Sequence, residues 1–99
     1  MAVLTTKQRA YLRGLAHPLA PIVRVGKAGV TDSVIAETRK SLDSHELIKV
    51  RIDVDGGAER RDVAAQLATA TDSQIAGTIG KVAILYRERD EEPEIRLPK

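Results

Sequence analysis

The sequence predicts a single α/β domain whose elements follow the order α-β-α-β-α-β-β. The chain has 99 residues, of which 42% are hydrophobic and 30% charged, and this composition suits one ordinary globular core. Glycines, prolines and capping residues divide it into short segments. Within these segments the hydrophobic residues recur either at helical spacing or at alternate positions. Because there is no cysteine, neither disulfides nor cysteine metal ligands are expected.

Residues 5–25 predict the first helix and the first strand. Thr5 is the expected helix cap, and Gln8 reaches back to it as in a capping box. The helix should end within residues 14–17, because Pro18 disfavours helical backbone at the residue before it. Residues 22–25 are mostly β-branched and predict a short strand, which Gly26 ends.

The next helix and strand are predicted in residues 31–54. Thr31 caps the helix, which should finish by residues 44–46 and bury an arc formed by Val34, Ile35, Thr38 and Leu42. Residues 47–54 give the clearest strand, because apolar and polar side chains alternate from Ile48 to Val54. The apolar positions are Ile48, Val50, Ile52 and Val54, and the polar positions are Lys49, Arg51 and Asp53.

A third helix is predicted over residues 58–70, with Val63, Leu67 and Ala70 facing inward. Two further strands, over residues 75–79 and 81–87, meet at Gly80. Alternating strands and helices favour right-handed crossovers and a mainly parallel sheet, with the last two strands able to pair antiparallel. We expect a domain over residues 1–88 and a charged tail over residues 89–99, mobile except where Ile95 and Leu97 dock.

Charge is distributed unevenly along the chain, although the net charge is only +2. Residues 1–31 contain five basic residues and no acidic one, whereas residues 52–99 contain seven basic and ten acidic residues. This asymmetry indicates a positive face for an anionic partner. On charge alone, a solvated surface without a partner explains the pattern equally well.

Residues 25–31 combine several features of a phosphate-binding loop. Gly26 and Gly29 allow a sugar-phosphate backbone to approach without a Cβ in the way. The helix that follows offers unpaired N–H groups and the positive end of its dipole, and Lys27 adds a full charge. A Gly-x-x-Gly loop of this kind clamps the nucleic-acid backbone in KH domains. A second match, Gly77–Gly80, carries no charge and is better explained as a turn or bulge between strands.

Other chemistry finds little support in the sequence. His17 and His45 are interpreted as structural, His45 as a helix-end residue. The acidic group Asp53, Asp55, Glu59 and Asp62 could suggest a metal cluster but is better explained as a polar turn with acids at a helix start. We therefore expect no catalysis, no cofactor and no metal. The two tyrosines are too few for the stacking platforms of RRM and OB domains.

Four separated segments carry a resemblance to a known family: residues 4–13, 22–31, 45–50 and 79–87. In this order they resemble the CRM domain (chloroplast RNA splicing and ribosome maturation), especially the stand-alone bacterial members of the YhbY family, over roughly residues 3–88. The resemblance implies an RNA-binding domain similar to the C-terminal domain of bacterial translation initiation factor three. It also implies a four-stranded mixed sheet with packed helices, a Gly26–Gly29 loop that touches RNA, and association with precursors of the large ribosomal subunit.

The expected function is therefore binding of ribosomal RNA during large-subunit assembly by a cytoplasmic monomer without a membrane segment. The expected contacts are the loop residues Gly26, Lys27, Ala28 and Gly29, with a basic surface formed by Arg9, Arg13, Arg24, Lys81 and Arg87. One alternative is a protein-interaction adaptor whose basic face meets an acidic protein. A more distant alternative is a metal-dependent nuclease around Asp53 and Asp55.

Overall fold

Three helices and four strands occur in the predicted order in a computed structural model that describes residues 3–99. Met1 and Ala2, the first residues of the expected domain, lie outside the described residues. No helix among residues 3–99 is long and apolar enough to span a membrane. The elements are α1 (Thr6–Ala16), β1 (Pro21–Val25), α2 (Asp32–His45), β2 (Leu47–Ile52), α3 (Gly57–Ala70), β3 (Gln74–Ile79) and β4 (Val82–Tyr86).

The first two helices begin where their capping residues predict. The Thr5 hydroxyl accepts a hydrogen bond from the Gln8 N–H (3.1 Å), and the Gln8 side chain accepts one from the Thr5 N–H (3.0 Å). At α2 the Thr31 hydroxyl accepts a hydrogen bond from the Val34 N–H at 3.2 Å. These side chains satisfy N–H groups that have no partner within the first turn of a helix, which confirms both predicted starts.

The sheet order is β1-β2-β4-β3, with β1 parallel to β2 and β4 antiparallel to both of its neighbours. The expectation of a mainly parallel sheet is therefore wrong. The reason is the β3–β4 hairpin, which folds β4 back between β2 and β3, so that two of the three strand pairs become antiparallel. The four-stranded mixed sheet implied by the resemblance is confirmed.

One face of the sheet is covered by α2 and α3. The alternating residues Ile48, Val50 and Ile52 of β2 are at most 2% exposed and pack here, as predicted. Strand β2 stops at Ile52, so Val54 packs against the core from the following loop. On α3 the inward side is centred on Leu67 as predicted, but Ala64 and Ala68 are more deeply buried than Val63 and Ala70.

The other face is only partly covered, by α1 and by the C-terminal residues. Leu12 and Ala16 pack there against Ile84 and Tyr86. Ile95 and Leu97 join the same cluster, so their predicted docking is confirmed. Beside α1 the face carries the exposed side chains of β1 and β2, which are Ile22, Arg24 and Arg51, with Lys49 half-buried.

The second Gly-x-x-Gly segment has the structural role expected of it. The register of β3 shifts between Ile75 and Gly77, and Gly80 occupies the hairpin turn with φ +57°. A Cβ on Gly77 would lie 2.5 Å from Cδ of Arg13, so this glycine makes room for the Arg13 side chain. Gly77 and Gly80 therefore serve the fold as a bulge and a turn.

Candidate nucleic-acid interface

The Gly26–Gly29 loop is a tight turn between β1 and α2. The Gly29 N–H donates to the Gly26 carbonyl at 3.0 Å, and the Thr31 N–H donates to the Gly29 carbonyl at 3.0 Å. Gly29 has φ +77°, a conformation that favours glycine. Lys27 and Ala28 form the exposed tip of the turn. The loop thus presents Lys27 to solvent immediately before the N-terminus of a capped helix.

The fold itself gives no reason for a glycine at position 26. Its φ lies outside the left-handed region, and a Cβ built there would meet nothing within 4 Å. A Cβ on Gly29 would likewise meet nothing within that distance. The open space above both α-carbons is the space that a nucleic-acid backbone would need in order to approach the loop.

The loop shares one end of the sheet with two other segments. The Ile52 N–H donates to the Lys81 carbonyl (2.7 Å), and the next residue, Asp53, donates through its N–H to the Val25 carbonyl (2.9 Å). The β1 end and the β3–β4 hairpin therefore flank β2, about 10 Å apart if each strand spacing is about 4.8 Å. Helix α3 also starts here. We call this region the loop end, comprising residues 26–31, 53–61 and 80–81.

Four cations of the loop end form no ion pair with an acid of the described chain, and one of them, Arg60, donates a hydrogen bond to the Val54 carbonyl. Within residues 3–99, Lys27, Arg61 and Lys81 form no ion pair and no side-chain hydrogen bond. All three are exposed. Three exposed acids offset part of the positive potential of these cations: Asp32 in the first turn of α2, Asp55 in the loop before α3, and Glu59 in the first turn of α3. The side chains of these three cations are thus available to an anionic ligand.

Arg24 and Arg51 lie on the uncovered sheet face, and both pair with the Asp53 carboxylate. The distance from Arg51 Nε to Asp53 Oδ1 is 2.8 Å. Hydrogen bonds from Arg24 first, and then from Arg51, hold the pKa of Asp53 below its ordinary value. The two arginines and one carboxylate leave one net positive charge on this face. The described residues contain no group of three or more histidines, aspartates or glutamates arranged to hold a metal ion.

The two predicted arginines of α1 are directed at backbone carbonyls. Arg9 donates to the Leu4 carbonyl (2.9 Å) and to the Thr6 hydroxyl (3.3 Å), so it folds over the start of its own helix. Arg13 donates to the Ala76 carbonyl of the edge strand at 3.1 Å and remains exposed beside the open sheet face. Arg13 can therefore extend the basic surface, whereas Arg9 lies further from the loop.

Arg87 is at the opposite end of the sheet from the loop. Strand β4 separates it from Lys81, a span of about 20 Å at roughly 3.3 Å per residue. Its guanidinium pairs with Asp43 and donates to the Thr71 carbonyl at 3.0 Å. Beside it, Tyr86 is 1% exposed, and burial, with Glu46 and Glu88 nearby, raises its pKa to about 12. The structure therefore does not bring Arg87 next to the loop, and Tyr86 is packing rather than a stacking surface.

Four basic residues near the predicted site were not among the sequence-based candidates. Lys49 and Arg51 lie on the uncovered face of β2, and the alternation of that strand already placed them opposite the core. Arg60 and Arg61 lie in the first turns of α3. The position of Arg60 and Arg61 could also have been predicted. Because α3 follows β2 just as α2 follows β1, both helices start at the same end of the sheet.

The fold and this surface define a small α/β domain with a glycine loop and unpaired cations at one end of a mixed sheet. The family model for the CRS1/YhbY (CRM) domain matches residues 4–87, and the chain belongs to this family. It is 42% identical to "Probable RNA-binding protein YqeI" of Bacillus subtilis, over 97% of this chain and 100% of that protein. It is 40% identical to an RNA-binding protein of Haemophilus influenzae, over 100% and 99% of the two chains.

A solved structure shares the fold. The solution structure of SAV1595 from Staphylococcus aureus, whose description suggests RNA binding, superimposes with a TM-score of 0.87 at 38% identity. The match covers 97% of this chain and 100% of that one. The family expected from the sequence is thus confirmed.

Proposed function

We propose that this protein binds RNA through the loop end of its sheet, without catalysing a reaction. The observation that carries the proposal is the Gly26–Gly29 turn, which is open above both glycine α-carbons and has an unpaired Lys27 at its tip. Lys27 and the loop amides would hold one or two phosphates. The RNA-binding descriptions of the relatives support the same ligand class.

The basic surface around the loop extends the contact to neighbouring phosphates. Lys81 on the hairpin and Arg61 on α3 have no acidic partner among the described residues, and Arg13 and Arg24 border the open sheet face. The proposal leaves out Arg9 and Arg87, because both of these side chains bond to the fold itself. If about four phosphates are neutralised, log K should fall by roughly 3 per tenfold increase in salt for a single strand.

The proposed target is ribosomal RNA in precursors of the large subunit, in the cytoplasm. This part rests on the family resemblance. Crosslinking the protein to RNA in cells and sequencing the bound fragments tests it. Enrichment of large-subunit ribosomal RNA is expected, and a distribution that follows total RNA abundance would contradict it. If co-sedimentation with ribosomal particles resisted ribonuclease, the protein-adaptor alternative would be favoured instead.

RNA binding itself is tested with Lys27→Glu, measured by fluorescence anisotropy on a labelled single-stranded RNA. We expect affinity to fall at least tenfold for every sequence tried, because an attraction to phosphate becomes a repulsion. Lys40→Glu is the matched control: it makes the same charge change on an exposed α2 lysine that also has no partner among the described residues, and it should cost much less. Equal losses for the two variants would remove the loop from the site.

A further inference from the structure

A groove of about 260 Å³ lies at the loop end, between the start of α3 and the β3–β4 hairpin. Its floor is formed by Ile52, Ala64 and Ala83, each at most 2% exposed. Because Ala64 and Ala83 each have only a methyl group as a side chain, the floor is recessed between α3 and the hairpin. Since the side chains of the floor are almost fully buried, the groove exposes very little apolar surface, and a ligand would contact mainly its rim.

The rim of the groove is basic. Arg60, Arg61 and Lys81 line it, and no acidic residue does. Arg61 and Lys81 are exposed, and neither is bonded to an acid of the described chain. The volume falls below the roughly 300–1,000 Å³ of pockets that enclose drug-sized ligands. A narrow groove whose rim carries three cations without acidic partners fits a small anionic ligand.

Arg60 differs from the other two cations because the fold holds it in place. Its Nη1 donates to the Val54 carbonyl at 3.1 Å, and the side chain is half-buried. A fixed guanidinium is a planar surface on which a nucleobase can stack. The chain has only two aromatic residues to do this instead: Tyr86 is buried, and Tyr11 lies on α1, on the other side of the sheet. Arg60 is therefore the planar group that this groove can offer to a base.

We propose that the groove binds one nucleotide of a single-stranded RNA. The base stacks on the Arg60 guanidinium at the rim of the groove, while Arg61 and Lys81 neutralise its phosphates. This inference rests on the proposed function and extends it, since the loop would hold the RNA by its backbone and the groove would contact a base. The strand would run between two sites about 10 Å apart across the end of β2.

The test compares two probes, an oligo(A) RNA and an abasic ribose-phosphate oligomer of the same length. The wild-type protein should bind oligo(A) about tenfold more tightly, the low end of what one base stack contributes. Arg60→Lys keeps the charge and a donor for Val54 but loses the plane, so the preference should fall to within about twofold. Arg39→Lys is the matched control, because Arg39 is an exposed arginine that donates to the Ala70 carbonyl (2.6 Å) at the other end of α3.

The outcomes separate this inference from the proposed function. If the wild-type protein bound both probes equally, the groove proposal would be overturned while RNA binding stood; if it bound neither probe, RNA binding itself would fail. A preference for oligo(A) that survives Arg60→Lys would place the base contact elsewhere. In NMR spectra, the Ala64 and Ala83 methyl signals should shift with oligo(A) and not with the abasic probe. Adenosine monophosphate binding as tightly as oligo(A) would assign the groove to free nucleotides and overturn the proposal.

Discussion

The two ends of the sheet differ in how most of their basic side chains are used. At the loop end, Lys27, Arg61 and Lys81 lack acidic partners among the described residues. At the other end, which we call the tail end (residues 43–47, 71–74 and 86–98), Arg87 pairs with Asp43 and Arg89 pairs with Glu94. The exception at the tail end is the exposed Arg96, which forms no ion pair among the described residues. Most basic residues of the tail end thus stabilise the fold, whereas those at the loop end remain available to a ligand.

Glu46 makes the contrast sharpest, because it is a carboxylate that is only 1% exposed. Its oxygens accept hydrogen bonds from the N–H groups of Arg89 (2.9 Å), Glu94 (2.7 Å) and Ile95 (3.0 Å). Burial opposes ionisation of this group, but the three N–H donors outweigh it, and the pKa of Glu46 is lowered. The C-terminal residues are thus fastened to the domain by an anion inside the fold, together with the apolar contacts of Ile95 and Leu97.

The largest expected effect comes from Glu46→Gln. The amide replaces one acceptor oxygen with a donor that faces a backbone N–H, so the free energy of unfolding should fall by about 2 kcal/mol or more. Amide exchange at Glu94 and Ile95 should accelerate, while RNA affinity should change less than twofold. Glu88→Gln is the control, because Glu88 is exposed. Unchanged amide exchange would show that Glu46 does not hold the tail, and a large loss of RNA affinity would show that the two ends are coupled.

A pH titration tests the role of Glu46 at the tail end in a second way, and the expected change in stability is smaller. Since the folded pKa of Glu46 lies below its ordinary value, its stabilising contribution is complete above that ordinary value and is lost as the pH falls through the folded pKa. Asp53 behaves with the same sign, because its pKa is also lowered. The difference in thermal stability between wild-type protein and Glu46→Gln should therefore shrink below about pH 4. A difference that stayed constant across this range would contradict the assignment to the Glu46 carboxylate.

The smallest effect on stability is expected for Gly26→Ala at the loop end. Since neither backbone conformation nor nearby atoms require glycine there, alanine should stabilise the protein by about 0.4–1 kcal/mol by restricting the unfolded chain. RNA affinity should nevertheless fall several-fold, because the new methyl group occupies the space of the approaching backbone.

Gly14→Ala is the matched control for that change. Gly14 lies in α1, where a Cβ would also meet nothing within 4 Å, and alanine there should stabilise the helix by up to about 1 kcal/mol. Its RNA affinity should equal that of the wild-type protein. Equal RNA affinities for Gly26→Ala and wild-type protein would show that the loop does not need to be open.

Features that depend on residues close in sequence were predicted well, whereas features that depend on contacts between distant residues were not. The caps at Thr5 and Thr31 and the alternation of β2 depend on neighbours in the sequence, so they could be identified directly. The position of β4 between β2 and β3 depends on which strands pair, which the order of elements does not determine.

The same distinction applies to the candidate site. The Gly26–Gly29 loop was visible because its parts are contiguous. The groove was not, because it brings Arg60 and Arg61 together with Lys81, about twenty residues further along the chain. Arg87 shows the converse. Lys81 and Arg87 flank β4 and are close in sequence, yet the length of this strand places Arg87 at the tail end.

The claim that RNA is held at the loop end is tested most directly by an NMR titration of isotopically labelled protein with a short single-stranded RNA. The account predicts that amide shifts concentrate in residues 26–31, 57–61 and 80–81 and that residues 86–97 stay unchanged. Shifts concentrated around Arg87 and the C-terminal residues, with the Gly26–Gly29 loop unaffected, would contradict it.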